Sequence, residues 1–198
     1  MGEMMARRMA VYLIALALGL SVCSTSWGEC KPEEVIKAYC RLDAQGTRLG
    51  WMDYNAIDTL GLWYGEPGWD QSMIIDGYDL LQSHRSGDTL IIGVRYRQVG
   101  WWSGGELLPA PGRSDGNIEH AETVNFKLIR QHNCWKIAGP VIIPHVSLGS
   151  TISYFGQWLQ RTEENVNPDT LDASVAKYIR DMRDTYDALV LYRESKKQ

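Results

Sequence analysis

The sequence predicts an α+β fold in which an antiparallel sheet lies between helices at both ends of the chain. Three observations carry this. Apolar residues recur at helical spacing from Pro32 onward, alternate with period two between Met73 and Ile143, and return to helical spacing after Ile152. A run of helices followed by a run of strands is the α+β pattern.

The first helix starts at Pro32, a favoured first-turn residue. Glu33 and Glu34 put negative charge at the positive end of its dipole. Val35, Tyr39 and Leu42, with Ile36 and Cys40 beside them, form the apolar stripe, and Gly46 is the stop. A second helix is expected from Tyr54 to Trp63, ended by Gly65-Glu66-Pro67-Gly68. Met73 to Ser83 reads as a strand with a bulge at Gly77, and His84 to Asp88 as a hairpin loop. From Thr89 to Val99, Leu90, Ile92, Val94 and Tyr96 share one face, with Gly93, Arg95 and Arg97 on the other. Residues 100–121 hold six Gly and Pro after Trp102 and read as a long loop. Glu122 to Arg130 is a strand with Val124, Phe126 and Leu128 inward, and Cys134 to Ala138 returns with Trp135 and Ile137 inward. Val141-Ile142-Ile143 is expected to continue the sheet at an edge. Helices follow at about Ile152–Thr162 and from Asn167-Pro168-Asp169. The last has Leu171, Val175, Tyr178, Met182, Tyr186 and Leu189 on one stripe.

The ends and the charge bound the class of protein. Arg7 and Arg8 precede Met9–Leu20, twelve uncharged residues, fewer than the roughly 20 a membrane span needs. This order matches a secretory signal, cut after Gly28. An uncleaved anchor is one alternative. A lipoprotein cut before Cys23 is another, although Val22 is bulky for that motif. The chain divides into a signal peptide at 1–28, an α+β domain at 29–147 and a C-terminal helical extension at 148–198. Export to the periplasm or exterior follows, with no membrane span once the signal is removed. A net charge of -4 gives no broad basic footprint for nucleic acid.

Export allows disulfides to form. Cys30 and Cys40, at the start of and within one helix, are about 12 Å or more apart, beyond the roughly 7 Å limit for bridging. An intrachain bond would therefore join Cys134 to Cys30 or Cys40; three buried thiols are the alternative.

The stretch Pro32–Ile143 resembles the nuclear transport factor-like superfamily, the cystatin-like α+β cone. The resemblance rests on the helix Pro32-Glu33-Glu34-Val35-Ile36-Lys37-Ala38-Tyr39 and the strand Gly87 to Tyr96. It rests also on the closing pair Thr123–Leu128 and Cys134-Trp135-Lys136-Ile137. It implies a curved antiparallel sheet wrapped around the first helix, with an apolar pocket at the open end. The family includes ketosteroid isomerase, scytalone dehydratase, epoxide hydrolases, polyketide cyclases and non-catalytic binding modules. Its enzymes place an Asp, His or Tyr in the pocket. The helices after Ser147 depart from the minimal family pattern.

Against that expectation, Asp76 alternates with Ile74, Tyr78 and Leu80 and is the candidate general base or acid, with Tyr78 or Tyr96 as donor. A bulge at Gly77 would instead turn Asp76 to solvent. His84 and His132 fall at turns; His120 and His145 could reach the pocket. No histidines are spaced as metal ligands, and no cofactor is expected. Arg95, Arg97 and Lys127 read as an outer face that could also grip an anion. Eight Trp and ten Tyr against two Phe favour recognition surfaces with a polar handle. Trp63, Trp69, Tyr96, Trp101 and Trp102 are the binding candidates, Trp135 a core residue. Neighbours on a strand point to opposite faces, so Trp101 and Trp102 should part company.

The leading expectation is an exported, non-catalytic domain that holds a small amphipathic ligand or a partner segment in an aromatic-lined pocket. One alternative is an isomerase-, dehydratase- or cyclase-type enzyme with Asp76 as base. The other is an envelope assembly subunit docking through its last helix. A homodimer is compatible with these readings.

Overall fold

The structure is a computed structural model and describes residues 30–49, 55–63, 65, 68–109, 120–166 and 171–197. The signal segment, Cys23, Tyr54, the 110–119 part of the long loop and Asn167-Pro168-Asp169 lie outside the described residues.

Helix α1 spans Pro32–Ala44 and buries Val35, Ile36, Tyr39, Cys40 and Asp43, an apolar stripe with one carboxylate at its end. Gly46, at φ 82°, takes the left-handed turn that follows the helix. A 3-10 turn, Thr47–Leu49, follows. Helix α2 is shorter than expected, Asn55–Asp58. Leu60 to Leu62 leave the helix to pair with the sheet: Ile137 N donates to Leu60 O and Leu62 N to Ile137 O, both at 2.9 Å.

Six strands follow: β1 Gln71–Ser86, β2 Thr89–Ser103, β3 Glu106–Pro109, β4 His120–Gln131, β5 Cys134–Gly139 and β6 His145–Ser147. They form one strongly curled, half-barrel sheet in the order β5-β4-β2-β1-β6, with β3 also on β2. Every pairing is antiparallel except the short β6, which runs parallel to β1. The sheet is thus mixed at one edge. The expected loop at 100–121 is strand at both ends, since β2 reaches Ser103, turns at Gly104-Gly105 and returns as β3. Val141–Ile143 are not a strand. The Ile142 carbonyl accepts from the Arg48 guanidinium and the Ile143 carbonyl accepts from the His145 ring. Side chains have taken the acceptors that a ladder would need.

The sheet is covered on both faces. Ile36 and Tyr39 of α1 pack with Ile75, Tyr96, Phe126 and Ile137 on the concave side. Helices α3, Leu148–Asn165, and α4, Ala173–Ser195, pack on the other side. There Phe155, Leu159, Met182 and Leu189 meet Ile74 and Val99 of the sheet. Ser147 and Asp172 cap these helices, accepting from Ser150 N and Ser174 N. The expected stripe on α4 is only partly covered: Met182 and Leu189 are buried, but Val175 and Tyr178 are exposed. Helix α4 packs against α3 and the short β3, which cover its middle turns.

Three irregularities interrupt the β1–β2 ladder, one between Leu80 and Ser83 and two near the start of β1 that set which side chains face α1 there. Ile75 pairs with Gln98 and Gly77 with Arg97, so Asp76 has no partner across β1–β2. Ile74 pairs with Gly100, so Val99 is the extra residue on β2. A bulge residue shifts the alternation by one position. Met73 and Ile75 therefore face the α1 core, and after Asp76 the same face is taken by Tyr78 and Leu80. After Val99, which packs with α3 and α4, the α1 face is resumed by Trp101.

Disulfide Cys30–Cys134 ties the second residue before α1 to the first residue of β5, with Cα atoms 4.9 Å apart. Cys40 is a free, buried thiol. The pairing left open between Cys30 and Cys40 is settled by position, since Cys40 is the fourth inward residue of the helix stripe and faces Tyr96. Among the described residues no helix is long and apolar enough to cross a membrane.

Candidate functional site

The α1-facing columns of β2 and β4 end in polar residues near the C-terminal end of α1. On β4 the inward phase of Leu128, Phe126 and Val124 runs back to Glu122 and His120. On β2 the phase of Val94 and Tyr96 runs on to Gln98, whose register partner is His120. β6 brings His145 beside Met73. These side chains enclose a cleft of about 490 Å3. Met73, Trp101, Ile142 and Ile143 supply its apolar wall; Gln98, His120, Glu122 and His145 supply its polar side.

The polar side is ordered from the core outward. Asp43 and Arg48 form a fully buried ion pair, with guanidinium Nη1 3.5 Å from both carboxylate oxygens. Arg48 also donates to the Tyr39 hydroxyl at 2.8 Å. Asp43 in turn accepts the backbone N–H of His145 at 3.0 Å, which fixes the start of β6. The His145 ring stacks against Tyr96, with centroids 4.1 Å apart. Its Nδ1 lies 2.9 Å from the Ile143 carbonyl. A carbonyl only accepts, so this bond assigns a proton to Nδ1 and leaves Nε2 turned to the Glu122 side. Nε2 is 3.6 Å from Glu122 Oε2, an ion-pair distance too long for a hydrogen bond, and has no hydrogen-bond partner although buried. Gln98 Nε2 donates to the same Oε2 at 2.5 Å and holds the carboxylate in place. When Nε2 is protonated as well, His145 holds the Glu122 carboxyl below its ordinary range, against the opposing effect of partial burial and with help from Gln98 and His120.

Tyr96 is sealed behind this group. Burial pushes its phenol far above the ordinary range, and its hydroxyl lies 3.5 Å from Cys40 Sγ. Burial also pushes the Cys40 thiol up to about 12, so it stays protonated at neutral pH.

The expected site residues are dispersed. Asp76 is exposed on its bulge, away from the cleft lining. Tyr78 is half-buried, 6.3 Å from Tyr96 ring to ring, and burial raises its phenol. Trp63 packs edge-on against Tyr39 at 6.2 Å, and the Arg48 guanidinium lies 5.4 Å from the Trp69 ring. Trp101 lines the cleft. Trp102 lies on the opposite face, 5.5 Å from Phe155, so the structure does not bring it to the cleft. His84 and His132 are exposed; His120 and His145 meet at the cleft. Arg97 pairs with Asp79 at 2.5 Å on the outer face, where Arg95 and Lys127 are exposed. Trp135 is core.

Glu122, Gln98, Asp43 and Arg48 were not singled out from sequence. For the first two a signal existed: each is the next inward position beyond an apolar alternation already read. Asp43 likewise falls four residues after Tyr39, on the buried stripe. No family model, curated protein or solved structure matches the chain. Another hollow, of about 520 Å3, lies by Arg85, Arg130 and Trp135. None of the orphaned buried polar atoms found among the described residues belongs to its lining.

Proposed function

We propose that this chain is an exported, non-catalytic domain of the nuclear transport factor-like kind that binds a small amphipathic ligand in the cleft beside Trp101. One observation carries the reading. The cleft sets a wall of Met73, Trp101, Ile142 and Ile143 against a buried His145 whose Nε2 is unpartnered. Pockets that pair apolar walls with a few fixed polar groups suit such ligands, and the volume of about 490 Å3 is in their range. The Cys30–Cys134 bond supports export, because such bonds persist in oxidising compartments.

Native mass spectrometry of protein purified from its own cell envelope tests this. The expected result is a retained small molecule at one per chain, lost in Trp101→Leu. A bare polypeptide mass, with no added small molecule rescuing a shift, contradicts it. The same spectrum reads the cleavage site, any lipid on Cys23 and the oligomeric state.

A second reading, proton-transfer chemistry of the isomerase or dehydratase type, draws support from the His145–Glu122 pair at the cleft. Asp76, being in solvent, adds nothing to it. The assembly reading would use the exposed Val175, Tyr178 and Leu191 of α4.

A further inference from the structure

With the His145 ring neutral and its proton on Nδ1, the cleft places two electron-rich atoms face to face. His145 Nε2 and Glu122 Oε2 are 3.6 Å apart. The Nδ1 proton points away, to the Ile143 carbonyl. Gln98 satisfies Oε2 from the other side, and Glu122 keeps a second oxygen, Oε1, with its side chain 46% exposed. A buried, unpartnered polar atom has lost its water without a replacement, a cost that a bound donor would recover. The geometry therefore asks for a donor beside these atoms and within reach of both, and the carboxylate asks for a positive one.

We propose that the cleft is specific for an amphipathic amine, whose ammonium group bridges His145 Nε2 and Glu122 while its apolar chain lies along Trp101, Ile142 and Ile143. This rests on the ligand-binding reading above and names the class of ligand. An ammonium carries three donors and no acceptor, so it serves Nε2 and both carboxylate oxygens at once. A hydroxyl has one donor. A charged donor on a carboxylate makes a bond roughly twice as strong as a neutral one. The indole face of Trp101 attracts a cation and an alkyl chain alike. A carboxylate-headed ligand meets Glu122 as a like charge. Gln98 acts as a positioning residue, since it touches Glu122 rather than the ligand site's free atoms.

The test compares three probes of one chain length, n-octylamine, n-octanol and sodium octanoate. Binding to the full exported chain is measured by calorimetry and by Trp fluorescence at neutral pH. Octylamine is expected to bind at least tenfold more tightly than either other probe. Glu122→Gln should erase that preference while octanol binding stays within about twofold. Trp101→Leu should weaken all three. Circular dichroism confirms that each variant is folded. Equal or tighter binding of octanoate or octanol overturns the amine assignment and leaves the cleft as a ligand site. An amine preference that survives Glu122→Gln also overturns it, placing the amine on the acidic surface instead. No binding of any probe by folded wild-type protein overturns this proposal. If purified protein then also lacks a native ligand, the binding reading fails with it.

Discussion

The single most consequential residue pair is Asp43–Arg48. Both side chains have no solvent exposure, and between them they touch Tyr39, the Ile142 carbonyl and the His145 backbone. Breaking a buried ion pair leaves a charge without compensation. Asp43→Ala should cost about 3–5 kcal/mol in urea unfolding, and a loss under about 1 kcal/mol would refute the role. Glu122 offers a test by pH. Its folded carboxyl sits below the ordinary range, so folding favours the ionised form. Its stabilising contribution is complete above the ordinary value, about 4.3, and is lost as pH falls through the lower folded value. Urea midpoints between about pH 6 and about pH 3 should therefore fall less steeply for Glu122→Gln than for the native chain. Parallel profiles would show that the His145 contact does not tune it.

At the scale of elements, the β2–β3 turn depends on how α4 crosses it. Gly105 has φ 94°, and a Cβ there would lie 2.7 Å from Tyr178 Cε2 on α4. Thr185 adds a hydrogen bond to the Gly105 carbonyl at 3.2 Å. Gly104, at φ 59°, has open space around it. Gly105→Ala should cost about 2–3 kcal/mol and Gly104→Ala about 1 kcal/mol, as read by thermal unfolding. Equal losses would mean that α4 gives way. The elements also show what a sequence can and cannot say. The alternation Leu90, Ile92, Val94, Tyr96 was legible because one face of β2 is continuously apolar. The separation of Trp101 from Trp102 followed from adjacency alone. The bulges were harder. An inserted residue leaves both phases populated by plausible side chains, so Ile74, Asp76, Tyr78 and Leu80 read as one face when Ile74 belongs to the other. The edge strand was misplaced by four residues because its fate depends on Arg48, far away in sequence.

For the whole molecule, the order of layers was readable and the site was half readable. Helices at both ends and a sheet between them follow from periodicity, and the structure puts those helices on opposite faces of one sheet. The cleft combines β1, β2, β4, β6 and a loop, and such convergence is tertiary information. Stability at this scale leans on the covalent staple. Cys30 and Cys134 close a loop with a sequence separation of 104. By loop entropy, replacing both with Ser should cost about 4–5 kcal/mol, measured by denaturant unfolding under oxidising conditions. A loss below about 1 kcal/mol would mean that the non-covalent layers alone hold the fold.

That staple has an orientation. Cys134 sits at the turn joining β4 to β5, whereas the cleft takes His120 and Glu122 from the other end of β4, roughly 36 Å along the strand. Helix α1 has the same polarity, with Cys30 ahead of its first turn and Asp43 in its last. A tether attached upstream of Cys30 would grip the domain by its base. The mouth would then face away from whatever surface held it, open to solutes arriving from the far side.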